Sequence, residues 1–142
     1  MDPSSVAFMW YEDDYEDLCE AFEQLELDQQ QFIFWPVNDN TDKFQISGGS
    51  HWALLVYVQS IQKFYYIDSS SHINTDELRK KLTSLINKDQ DVAQESFETI
   101  VLKNVSKQTN PYDWGVYVLA NTEYILNLIK EGNFDGIYWF CI

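Results

Sequence analysis

His51 and Asp68 are the two side chains of this sequence whose types and spacing could do acid–base chemistry together. His51 immediately precedes "WALLVYV" (52–58), and Asp68 closes "KFYYID" (63–68). Both runs are rich in β-branched and aromatic residues and a short polar link joins them, which predicts a β-hairpin. With the turn midway between Gln59 and Gln62, Asp68 falls almost opposite Ala53, two residues from His51. Side chains two apart on a strand share a face, so the imidazole and the carboxylate are expected as diagonal neighbours, roughly 7–8 Å apart and within bridging reach. A carboxylate in that place orients an imidazole as a general base.

A base of this kind works with a nucleophile and an oxyanion donor. A thiol is best placed at a helix N-terminus, where the dipole lowers its pKa, and a nearby carboxamide can donate to the oxyanion. "QTNPYDWG" (108–115) puts Gln108 on the turn before the last predicted helix, but the residue that opens the helix is Trp114. An indole has no ionisable thiol or hydroxyl and its N–H only donates, so covalent catalysis through position 114 is excluded. Cys19 and Cys141 stand in no comparable helix-opening frame. Taken singly, a histidine beside an aromatic strand reads as a structural core residue and Gln108 as a loop amide. The ordered set "GGSHW", "YYIDS" and "QTNPYDWG" is far more specific than its parts.

The positioning elements follow from periodicity. Tyr15, Leu18, Phe22 and Leu25 recur at helical steps and predict an amphipathic helix over 12–27. "FIFWPV" (32–37) reads as a buried strand, with Pro36 marking an edge or an end. The polar loop 38–50 then carries Gly48 and Gly49 into His51, and a loop of that length in a small domain is more often functional than idle. Asn74, three residues before Glu77, opens a helix with Leu78, Leu82, Leu85 and Ile86 on one face. Residues 96–102 alternate as a strand, and 115–130 form a helix apolar enough all round to be largely buried. The sum is one α+β domain over 1–142, its helices packed on a small mixed or antiparallel sheet.

Composition narrows the partners. Nine basic against twenty-three acidic side chains give a net charge of −14, and no Lys or Arg precedes Lys43. That balance works against nucleic-acid and anionic-membrane binding and favours a basic protein partner. The bland reading of the acidic stretch is a solvated helix face that contributes only solubility. Two cysteines form neither a disulfide framework nor a zinc pattern, and no metal or organic cofactor is implied. A reducing intracellular compartment, cytoplasmic or nuclear, is expected. Neither a membrane-spanning run nor a signal peptide is present, so a soluble protein is expected.

The ordered set resembles the Ulp or sentrin-specific cysteine proteases, papain-like enzymes that remove ubiquitin-like modifiers with a His, Asp, Cys triad and a Gln at the oxyanion hole. The family's motifs map onto His51, Asp68 and Gln108, and its nucleophile falls on Trp114. "VNDN" (37–40), followed by a polar loop and "GGSHWALLVYV", resembles the deneddylase branch, whose modifier is attached to cullins. The resemblance extends from about residue 6 to 128. It implies that Trp52 walls a tunnel for the modifier's Gly-Gly tail. It also implies that the loop bearing Asn38, Asp39, Gly48 and Gly49 closes over a ubiquitin-like modifier of cullin or SUMO type. The family's "WLND"-like motif has no match in 1–31, so an N-terminally shortened domain is expected. Three readings stay open: a pseudo-protease that still binds its modifier, an active thiol protease were position 114 Cys, and a non-binding remnant whose tunnel the Trp114 ring plugs.

Overall fold

The computed structural model describes residues 3–40, 42, 44, 49–70, 73–87, 97–102, 105, 107, 108, 110 and 113–132. Its elements run α1 (Pro3–Tyr11), α2 (Tyr15–Phe22), β1 (Phe32–Asn38), β2 (Trp52–Val58), β3 (Lys63–Ile67), α3 (Asp76–Ile86), β4 (Thr99–Leu102) and α4 (Trp114–Lys130). The strands form one mixed sheet in the order β1-β2-β3-β4. The first two pairings are antiparallel, and β4 joins β3 in parallel after the α3 crossover. The expected α+β architecture and the hairpin are both present.

Period-two alternation sorts the sheet's side chains onto two faces. Ala53, Leu55, Tyr57, Phe64 and Tyr66 pack against Val6, Met9, Leu18, Phe22, Leu78 and Leu82 of the first three helices. Leu54, Val56, Val58, Tyr65 and Ile67 form the opposite face, which Ile125, Val118 and Ile129 of α4 cover. Burial on both faces accounts for the uninterrupted apolar run in β2, as it does in sheets sandwiched between helices.

Two helical expectations need correction. The predicted helix 12–27 starts later and ends earlier, because the Asp14 carboxylate caps α2 by accepting from the Glu16 and Asp17 amides at 2.8 and 3.3 Å. After Phe22 the chain continues as two 3₁₀ turns, with Glu26 between them in the left-handed region at φ 45°. The α4 helix is not largely buried: Val116 and Leu119 are 62% and 70% exposed, and among the described residues Ile125 is its one buried side chain. One sheet face covers one stripe of a helix, whatever the apolar content of the others. Helix α1, which has no polar face to betray it, is fastened by Lys81. Its ammonium donates to the Met9 and Glu12 carbonyls at 3.2 and 2.8 Å, a cation at the helix's negative end.

Candidate active site

The β2–β3 register sets Leu54 opposite Ile67, so the next step places Ala53 opposite Asp68 and His51 on the same side. The two side chains meet directly, His51 Nε2 lying 2.6 Å from Asp68 Oδ1. Both are buried, at 4% and 9% exposure. The other ring nitrogen, Nδ1, is buried with no hydrogen-bond partner among the described residues. An imidazole tied through one nitrogen and open at the other is arranged to exchange a proton at the open one.

Asp68 is held on all sides. The Tyr66 hydroxyl donates to its Oδ2 at 2.6 Å and the Ser70 amide to its Oδ1 at 2.9 Å. The Tyr66 oxygen in turn accepts from the Ile73 amide at 2.8 Å. Burial, and then the hydrogen bond to the Asp68 carboxylate, push the Tyr66 phenol far above its ordinary value, so it keeps its proton.

The backbone of His51 is clamped by the end of β1. Asp39 Oδ1 accepts from the amides of Ser50 and His51 at 2.6 and 3.0 Å, and its Oδ2 accepts from the Ser50 hydroxyl at 2.9 Å. The Asp39 amide and the Asn38 carboxamide both donate to the His51 carbonyl, each at 3.1 Å. Gly49 turns the chain into this clamp at φ 89°, and a Cβ there would collide with the Asn38 side chain. Two requirements therefore fix glycine at the position.

Burial raises the Asp39 pKa, but the Ser50 amide and hydroxyl and the His51 amide outweigh it and leave the carboxyl below its ordinary 3.8. A lowered folded-state pKa contributes stability that is complete above the unfolded value and disappears as pH falls through the folded one. Asp39→Asn is accordingly expected to lose about 1–2 kcal/mol near neutrality. In urea titrations at stepped pH the gap to the natural chain should close below 3.8; a gap that stays constant into acid contradicts the clamp.

A second chain of contacts leads from Asp68 to the start of α4. The Gln108 amide donates to the Ser69 carbonyl at 2.9 Å, and the Ser69 hydroxyl donates to Gln108 Oε1 at 3.2 Å. The Gln108 carboxamide donates to the Asn110 carbonyl and carries a second N–H suited to an oxyanion. Asn110 and Asp113 then bond reciprocally, side chain to side chain at 2.5 Å and Asp113 amide to Asn110 Oδ1 at 3.1 Å. Asp113 is the residue before Trp114, which opens α4 half-buried. At Gly115 an added Cβ would meet nothing within 4 Å.

The structure thus brings His51, Asp68 and Gln108 together and links them to the Trp114 helix start. Trp52 lies half-buried at the beginning of β2, paired with Asn38. Gly48 and Cys141 fall outside the described residues, and Cys19 packs beside the α1–α3 core. Sequence reading overlooked Tyr66, although its place two residues before Asp68 puts both on one face. It also overlooked the clamp made by Asp39, which the resemblance assigned only to the loop closing over the modifier. Among the described residues no His, Cys, Asp and Glu group could hold a metal, and no helix is long and apolar enough to cross a membrane.

Residues 1–137 match the Ulp1 protease family, C-terminal catalytic domain. A probable sentrin-specific protease 8 of Dictyostelium discoideum is 31% identical over 137 residues, which is 94% of this chain and 56% of that protein. NEDD8-specific protease 1 of Arabidopsis thaliana is 31% identical over 146 residues, 97% of this chain and 61% of the relative. A solved structure of the SUMO protease Ulp1, its catalytic cysteine oxidized to a sulfonic acid, superposes with a TM-score of 0.59 at 27% identity. That superposition covers 89% of this chain and 53% of the other. The chain therefore spans a little over half the length of these relatives.

Proposed function

The chain belongs to the Ulp1 protease family, and from that premise we propose that it is a deneddylase-type domain that holds a ubiquitin-like modifier without cleaving it. One observation carries the reading: a buried, paired His51–Asp68 with Nδ1 open stands in contact, through Ser69, Gln108 and Asn110, with a helix that begins at Trp114. The base and its orienting carboxylate are in place, Gln108 offers the oxyanion donor, and the helix start lacks the sulfur that a thiol mechanism uses. The catalytic cysteine of the related SUMO protease is named as such; an indole cannot take its part.

The modifier is read from the relatives. One is a NEDD8-specific protease and the superposed enzyme a SUMO protease, so a NEDD8-like modifier is the first choice and a SUMO-like one the second. Trp52, Asn38, Asp39, Gly48 and Gly49 shape its approach, and the net charge of −14 suits a modifier that presents basic side chains. Titration of the natural chain with NEDD8, SUMO and ubiquitin is expected to give saturable binding to NEDD8 with no hydrolysis of a NEDD8 precursor. No saturable signal with any of the three would leave the non-binding remnant as the better description.

The open lane beside Gly115 supplies a sharper test. Among the described residues beyond its immediate chain neighbours nothing comes within 4 Å of a Cβ at Gly115, so packing does not demand glycine, and a modifier tail running past Trp114 would use that space. Gly115→Ala should leave stability unchanged or raise it by up to about 1 kcal/mol, since alanine is the better helix former. It should weaken NEDD8 binding by roughly tenfold, the equivalent of about 1.4 kcal/mol. Equal affinity of the two chains for NEDD8 would mean that the tail does not pass there.

A further inference from the structure

The hydrogen bonds around Asp68 have a direction. An amide N–H can only donate, so the Tyr66 oxygen, 2.8 Å from the Ile73 nitrogen, accepts there. The single hydroxyl hydrogen of Tyr66 is then the one that reaches Asp68 Oδ2 at 2.6 Å. On the other oxygen the Ser70 amide donates at 2.9 Å. Both carboxylate oxygens thus accept hydrogens, Oδ2 from the Tyr66 hydroxyl and Oδ1 from the Ser70 amide. The remaining partner, His51 Nε2 at 2.6 Å, must bring the hydrogen of their shared bond.

We propose that Tyr66, pinned by the Ile73 amide, is the positioning residue that locks His51 in its Nε2–H tautomer and so leaves the lone pair on Nδ1, which is buried and has no partner among the described residues. Tyr66 touches neither substrate nor reacting atom; it acts through Asp68. Its ring is 1% exposed within the α1–α3 core face, so the hydroxyl cannot swing to water. Among the described residues, Asp39 at the end of β1 also carries a charge close to His51, and its carboxylate is committed to the Ser50 and His51 backbone. Without the hydroxyl, Oδ2 would be a buried acceptor with nothing to accept, and the carboxylate would be free to turn away from Nε2. The inference rests on reading His51 as the site's base, but its test does not depend on turnover.

The test is imidazole nitrogen NMR on the full chain carrying His72→Gln, which leaves His51 as its one histidine. At a pH where the ring is neutral, the Nε2–H form is expected in at least about tenfold excess, the ratio that one pKa unit of differential interaction corresponds to. Tyr66→Phe, which removes one oxygen and keeps the ring, should reduce that excess about tenfold. An Nδ1–H or evenly mixed ring in the parent overturns the proposal, as does an unchanged ratio in Tyr66→Phe. Should Tyr66→Phe not fold, the Tyr66 hydroxyl proton of the parent decides. A slowly exchanging Tyr66 hydroxyl proton that cross-relaxes with the His51 Nε2 proton supports the relay, and its absence overturns it. A silent Trp114→Cys enzyme, by contrast, would count against the protease reading and leave these spectra as they are.

Discussion

Trp114→Cys is expected to release fluorophore from a C-terminal NEDD8 adduct on the order of 10³-fold or more faster than the natural chain, the scale set by losing a nucleophile in a triad. The expectation follows from what is already assembled. The new thiol would open α4, where the helix dipole favours the thiolate. By the family's pattern its partners would be the His51 imidazole and the Gln108 carboxamide, the latter two hydrogen bonds from the helix start. Removing the ring also makes room at the helix start, so the substituted chain gains a nucleophile and space together. Trp114 is half-buried, and its loss should cost less than the roughly 3–5 kcal/mol of a core tryptophan. Adding His51→Ala should return the release to background. A folded Trp114→Cys chain that stays silent toward NEDD8 and releases from a SUMO adduct would reassign the modifier. Silence toward both would reduce the chain to a protease-like fold.

The site was legible where strand geometry governs it and hidden where loops do. Alternation and one turn position sufficed to set Asp68 against Ala53, and the observed register continues to that pairing. Expected as neighbours within bridging reach, the imidazole and carboxylate in fact touch at 2.6 Å. Trp114 was read as the first residue of the last helix, and α4 begins there. The Asp39 clamp could not be read in the same way. Its bonds to Ser50 and His51 close a loop of about a dozen residues, and sequence gives no register across such a gap. Tyr66 was available from period two, but a tyrosine in an apolar strand reads first as core. It is core, and its hydroxyl alone faces the carboxylate. The helices erred for a related reason: apolar content set the burial expected of α4, whereas the available sheet face sets the burial observed.

Asp68→Asn is expected to undo the site while changing one atom. Each carboxylate oxygen receives hydrogens: Oδ2 from Tyr66, Oδ1 from Ser70 and from the ring of His51. An asparagine must put its NH₂ in one of the two places. Facing Tyr66, it sets its own N–H against the hydroxyl hydrogen that Oδ2 of the natural carboxylate receives. Facing Ser70 and His51, it sets donor against donor and draws the lone pair of His51 to Nε2, which forces the hydrogen onto Nδ1 and removes the base. Either placement sets one donor against another around a buried side chain, for about 1–3 kcal/mol of lost stability in urea denaturation. In the Trp114→Cys background the second placement should lower kcat by up to about 10⁴, the loss found when a triad imidazole is held in the wrong tautomer. KM should move little, because Asp68 is buried and acts through His51. The opposite result, an Asp68→Asn chain as stable and as active as its parent, would mean that a neutral acceptor serves His51 equally well and that the three donors around position 68 do not fix its charge.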